Sequence, residues 1–187
     1  MLEKGRCRVF TSGLRGAEAA FGAEAAKYGI GETVFTFADH PTARDKAQEI
    51  VVLSEDELRR GNISMEIVSK MMHRTYYEAE KIRKILQTIF HVVNNGHQVL
   101  VVGKIMEDNT VKGGTGWAVE LAKLFNRHLG VFDQDKNKWF VWQNGSWQEG
   151  QPKIESETIA CSGTRNLTEA GQQAIQKLFS DTFGALD

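Results

Sequence analysis

An α/β fold, with a mostly parallel sheet covered by helices on both faces, is predicted by three features of this sequence. Short apolar, β-branched runs alternate with stretches of helical periodicity, the pattern of a parallel sheet with helical crossovers. Glycine-containing loops, Ser12-Gly13-Leu14-Arg15-Gly16 and Gly113-Gly114-Thr115-Gly116, stand after two of those runs. Asn144-Gly145 lies between two apolar runs, a strong signal for a tight hairpin.

In chain order, Arg8 to Thr11 reads as a strand. The first glycine loop leads into a helix from about Ala17 to Tyr28, where Ala19, Ala20, Ala23 and Ala26 allow close packing and Gly29 ends the helix. Thr33 to Phe37 is a second strand, closed off by Pro41. His40 therefore stands past a strand's carboxyl end, either as an exposed loop histidine or lining a crevice there. Glu49 to Leu53 is a short strand, and Ser54 with Glu57 three residues on makes a capping box. Asn62 to Asn95 is helical in pattern, with a breakpoint near His73-Arg74-Thr75. From Tyr76 to Val93, Ile82, Ile85, Leu86, Ile89, Phe90 and Val93 recur at helical spacing and read as core. Arg74 is either a solvated helix-start arginine or a phosphate contact, since a guanidinium matches phosphate with two parallel hydrogen bonds.

Gln98 to Gly103 reads as a buried strand, followed by the second glycine loop and an amphipathic run from Ala118 to His128. Glycines let a backbone approach a ligand, and the first N–H groups of a helix are unpartnered and partly positive. A phosphate satisfies both conditions. Glu120, four residues past Gly116, is expected on the same helix face at the mouth of this site. Leu129 to Asp133 is a strand. The hairpin that follows carries Trp139, Phe140, Trp142 and Trp147, which either stack on a base or pack across the strands. Thr158 to Cys161 is the last strand, Ser162 to Leu167 its loop, and Thr168 the N-cap of the final helix.

With 187 residues, 41% hydrophobic and 25% charged, the chain reads as one domain over 1–187 with a core of ordinary size. A formal net charge of -1 supplies no global attraction for nucleic acid or membrane. Cys7 and Cys161 fit no close-spaced metal or redox motif and read as small buried strand residues in a reduced compartment. The first residues contain no apolar signal segment and no run is long enough to cross a bilayer, so a cytoplasmic protein is expected.

Three segments resemble the SLOG superfamily, the Rossmann-like group that includes the DprA proteins and the LOG phosphoribohydrolases, and in particular its YpsA-related branch. Thr11-Ser12-Gly13-Leu14-Arg15-Gly16-Ala17-Glu18 is similar to the family's S-G-G-x-x-G-A-D loop. Gly113-Gly114-Thr115-Gly116-Trp117-Ala118-Val119-Glu120 is similar to the P-G-G-x-G-T-x-x-E loop of LOG enzymes, with Lys112 in place of the proline and Trp117 in place of the threonine. Gly163-Thr164-Arg165 is similar to the G-S-R loop that opens the family's first unit. Here it comes last, so the resemblance implies a circular permutation.

The resemblance implies a nucleotide or nucleotide-derived ligand, with no further cofactor and no metal. Ser12, Gly13, Gly16, Ala17, Glu18, Gly103, Gly113, Gly114, Thr115, Gly116, Gly163, Thr164 and Arg165 would bind it, with His40 and Arg74 as further candidates. The first expectation is a ligand-binding or sensor domain. The second is an enzyme that cleaves the N-glycosidic bond of a nucleoside 5′-monophosphate, with Glu120 as the catalytic carboxylate. A nucleic-acid-handling role, suggested by DprA, is opposed by the near-neutral charge. A homo-oligomer, dimer or tetramer, is expected, and the three loops should meet at one edge of the sheet.

Overall fold

The computed structural model describes residues 2–186. The strands are β1 (Arg8–Thr11), β2 (Gly31–Thr36), β3 (Glu49–Val52), β4 (Gln98–Gly103), β5 (His128–Asp133), β6 (Lys138–Gln143), β7 (Ser146–Glu149) and β8 (Thr158–Gly163). The helices are α1 (Ala17–Lys27), α2 (Glu55–Arg59), α3 (Asn62–Met72), α4 (Glu80–Asn95), α5 (Thr115–Leu124) and α6 (Glu169–Phe183).

One eight-stranded sheet runs in the order β3-β2-β1-β8-β4-β5-β6-β7. Every pairing from β3 to β5 is parallel, and β6 and β7 pair antiparallel at the edge. The central strand β4 is buried throughout, which explains its unbroken apolar run. Helices cover both faces. α1 and α6 pack with Val9, Leu100, Val102 and Ile159 on one side, and α3, α4 and α5 pack with Val99, Val101 and Val131 on the other.

The local chemistry explains most boundaries. Ser54 Oγ and the Glu57 carboxylate form the capping box that starts α2. His73 takes a left-handed φ of 54° and ends α3, the break expected there. Asn144 and Gly145, with φ of 51° and 77°, make the hairpin turn. Trp142 and Trp147 face each other across it with ring centroids 5.0 Å apart, and Trp139 packs edge-on against Phe132. The aromatic cluster is thus used in packing.

Three expectations need correction. α5 begins at Thr115 because Gly116 and Trp117 already donate to the carbonyls of Gly113 and Gly114. It ends at Leu124, where Asn126 turns left-handed and β5 begins two residues later. On α1 the packed face is Ala17, Ala20, Phe21 and Ala25, while Ala26 is exposed. On α4, Ile82 is exposed and Ile85 only half-buried, so the predicted core stripe begins at Leu86.

Two residues near the opposite ends of the chain, Lys4 and Phe183, meet at the ring of Tyr28. Phe183, at the end of α6, lies 5.9 Å from it, and Lys4 Nζ sits 5.4 Å over it. Read from β8 across these ends, the strands run outward through β1, β2 and β3, then return to β4 and continue the other way through β5. That is the order of a doubly wound sheet, and its switch point lies between β8 and β4.

Candidate functional site

Chains leaving neighbouring strands at a switch point diverge to opposite faces and leave a crevice. After β8 the chain passes to α6, and after β4 it passes to α5 on the other face. A cavity of about 460 Å³ opens there. Ser12 and Leu14 line it from the β1 loop, Gly103 and Lys104 from the end of β4, and Lys112 to Thr115 from the start of α5. Gln134 and Asp135 enter after β5, Ser162 to Asn166 after β8, and Ile85 and Ile89 from α4.

All three glycine loops therefore reach one edge of the sheet, but they play different parts. The β1 loop is filled by the chain itself. Glu18 is 4% exposed, and its Oε2 accepts from Ser12 N at 2.9 Å, Ser12 Oγ at 2.5 Å and Leu14 N at 3.3 Å. Ser162 Oγ lies 3.4 Å from Oε1. Burial pushes the Glu18 carboxyl pKa up, and these hydrogen bonds work against that shift. Gly13 N donates to Thr11 Oγ1, and Ala17 N to the Thr164 carbonyl at 3.0 Å. Among the N–H groups expected to receive a phosphate here, those of Ser12, Gly13, Leu14 and Ala17 thus have partners already, while those of Arg15, Gly16 and Glu18 have no protein acceptor among the described residues. The glycines serve close packing instead. A Cβ on Gly16, whose φ is 92°, would meet the Thr164 carbonyl, and one on Gly163 would lie 2.5 Å from the Cβ of Ala17.

The α5 loop is different. Among the described residues no protein atom accepts a hydrogen bond from the N–H groups of Gly113, Gly114 or Thr115. Gly113 has a left-handed φ of 70°, and a Cβ on Gly113 or Gly114 would meet nothing. This is a bare helix start facing open space. Arg74 braces it from behind, donating to the Gly113 carbonyl at 3.1 Å and to Thr110 Oγ1 at 2.9 Å. Gly116 leaves room for that guanidinium, since a Cβ there would lie 2.5 Å from Nη1. Arg74 supports the loop and does not line the crevice.

Glu120 is also placed away from the crevice. It is 5% exposed, and its Oε1 accepts from Lys123 Nζ at 2.8 Å. Lys123 also donates to the Asn109 carbonyl and lies 3.9 Å over the Trp142 ring. The α5 face that carries Gly116 and Glu120 turns toward the loop before the helix and toward the hairpin. The shared face was read correctly, but its direction was not.

Lys112 and Arg165 line the crevice without an ion-pair partner among the described residues, whereas Lys104 pairs with Asp135. His40 is buried, with Nδ1 3.0 Å from Thr36 Oγ1. Lys104, Gln134 and Asp135 were missed in the sequence, although each directly follows a parallel strand, which is the signal that would have found them. Ile89 belongs to the core, as its spacing predicts, and Ile85 packs against that core; both also line the crevice, which periodicity does not reveal. No group of three or more His, Cys, Asp or Glu suited to a metal occurs among the described residues. No helix among them is long and apolar enough to cross a membrane.

The fold and crevice define a doubly wound, Rossmann-like α/β domain with its opening at the switch point. No family model matches the chain, and no curated protein sequence does. Among solved structures, a protein of Syntrophus aciditrophicus SB, named with reservation as a molybdenum carrier protein, shares the fold. The match covers 94% of each chain at a TM-score of 0.55 and 13% identity.

Proposed function

We propose that this chain is a binding module for a nucleotide or nucleotide-derived ligand, held in the crevice between β8 and β4. The phosphate sits on the N–H groups of Gly113, Gly114 and Thr115, with Lys112 and Arg165 beside it. Ile85, Ile89 and Leu14 provide an apolar wall for the base. What carries the reading is the start of α5: three adjacent N–H groups without a protein acceptor among the described residues, on a loop where glycines keep the space open. The resemblance of this loop to the SLOG pattern supports the same reading. The SLOG assignment itself, with its circular permutation, is part of the proposal.

The enzymatic alternative finds less support. Glu120 is engaged with Lys123 outside the crevice. The carboxylates that do line it are also occupied, Glu18 by its own loop and Asp135 by Lys104. We also propose a homo-oligomer, with Ile63, Ile67 and Met71 as the covered surface. These exposed apolar residues recur every four positions along α3.

Thermal shift with adenosine 5′-monophosphate, ADP-ribose and molybdate tests the binding reading. The last probe is included because of the name of the fold neighbour. A ligand that binds only the folded state must raise its apparent stability. The expected result is stabilisation by at least one nucleotide, reduced in Arg165→Ala. No shift with any nucleotide at millimolar concentration would sink the reading. A shift with molybdate alone would replace the nucleotide by a tetrahedral oxyanion.

A further inference from the structure

His40 is a buried polar side chain with one ring nitrogen unused. It is 8% exposed, its ring stacks on Phe37 with centroids 4.5 Å apart, and Thr36 Oγ1 engages Nδ1. Nε2 is buried and has no partner among the described residues. Such an atom calls for a ligand or an ordered group to satisfy it. The charges that reach this imidazole are both positive. After burial, Arg165 and then Lys81 hold its pKa below the ordinary histidine range.

The placement of these two cations is independent of that shift. Arg165 lines the crevice. Lys81 stands one turn before Ile85 and two turns before Ile89 on α4, and both isoleucines line the crevice, which places Lys81 on the same helix face one turn beyond the lining residues. Both cations are exposed, and neither forms an ion pair among the described residues. Two cations, unpaired among the described residues, and a buried imidazole with an unpartnered nitrogen come together from three parts of the chain. What the cluster lacks is a negative charge.

We propose that His40, Lys81 and Arg165 form a second anion-binding point at the β2 side of the crevice, and that the ligand carries two separate anionic groups. β2 and β4 are three strand spacings apart, about 14 Å, and the long Lys81 and Arg165 side chains shorten the gap between the two points. The second anion accepts from Nε2–H of a protonated His40 and is flanked by the two cations. The inference rests on the proposed function for the first anionic group, at α5. The anion point itself does not.

The titration of His40 in the labelled full chain, followed by NMR, tests the site. Sulfate is the probe, because it has the shape and charge of a phosphate and does not titrate near neutrality. At equal ionic strength, sulfate in place of chloride should raise the His40 midpoint by about half a pH unit or more. Lys81→Glu, at an exposed position, should remove the rise. An unmoved midpoint, or a rise that survives Lys81→Glu, overturns the proposal. Calorimetry then tests the ligand class. Adenosine 3′,5′-bisphosphate should bind about tenfold tighter than adenosine 5′-monophosphate, and His40→Gln and Lys81→Glu should each bring the two within about twofold. Equal affinities in the parent chain overturn the two-anion ligand. If sulfate moves His40 and neither nucleotide binds, the nucleotide reading falls and the anion point stands. If the monophosphate binds and sulfate leaves His40 unmoved, only this inference falls.

Discussion

Glu18 occupies the place where a phosphate was expected, closing the β1 loop with the chain's own carboxylate. Its pKa is raised by burial. The folded state therefore holds the proton more tightly than the unfolded chain. The resulting stability is fully present below the unfolded carboxylate pKa, about 4.3, and is lost as pH rises through the folded value. Glu18→Gln keeps the shape and removes the titration. Its stability relative to the parent should therefore increase from acidic to neutral pH, read from urea midpoints. A difference that stays flat with pH would contradict the buried, titrating carboxyl. Glu120 gives the complementary test. Its ion pair with Lys123 is nearly buried, with side-chain exposures of 7% and 10%. Glu120→Ala should cost about 3 kcal/mol of stability, because Lys123 is left without its counter-ion. Ligand affinity at the crevice should not change. A loss of affinity with stability intact would return Glu120 to the site.

The start of α5 separates a structural glycine from a functional one. Gly114 has φ of −61° and ψ of −31°, angles any residue adopts, and open space where its Cβ would stand. Gly114→Ala should therefore leave stability unchanged or raise it by about 0.5 kcal/mol, through the unfolded chain. It should weaken a phosphorylated ligand, because the methyl group crowds the bare N–H groups. Denaturant midpoints and calorimetry on the same variant check both halves. Equal affinity would mean that the glycine serves no ligand. The order of strand, glycine loop and helix was legible here, because a buried apolar run, two glycines and an amphipathic stretch occur in sequence. The direction of the helix was not. Spacing puts Gly116 and Glu120 on one face, but only the packing of Gly116 against the Val111 carbonyl and Arg74 turns that face away from the crevice. The β1 loop was misread for a related reason. Gly16 answers contacts with Thr164 and Arg165, residues brought near only by the sheet order, and Gly13 answers contacts with Val34 and Thr42.

At the scale of the molecule, α3 sits outside α4 and α5, burying Met65, Val68 and Met72 and leaving Ile63, Ile67 and Met71 exposed. If a second copy covers that stripe, light scattering should find an oligomer in the parent chain and a monomer in Ile67→Glu. Identical masses for the two would remove this surface from the interface.

The order of units along the chain makes a stronger demand on the whole fold. The Gly163-Thr164-Arg165 unit comes last in sequence, yet β8 lies at the centre of the sheet, between β1 and β4. Lys4 and Phe183 flank one ring, that of Tyr28, which lets β8 and α6 precede β1 without disturbing any strand pairing. A permuted chain that joins the ends by a short flexible linker and opens between Glu155 and Ser156 should therefore fold. The cut falls between two anchored segments. Ile154 stays buried and Gln98 holds the Lys153 carbonyl on one side, while β8 pairs with β1 and β4 on the other. The expected result is a single cooperative unfolding transition and the parent's response to nucleotides. Because Lys4 and Phe183 already meet, doubling the linker should change stability by only about 0.6 kcal/mol, the loop-closure term alone. A permutant that folds only with a long linker would show that these two residues do not meet in solution, and the central placement of β8 would then need another explanation.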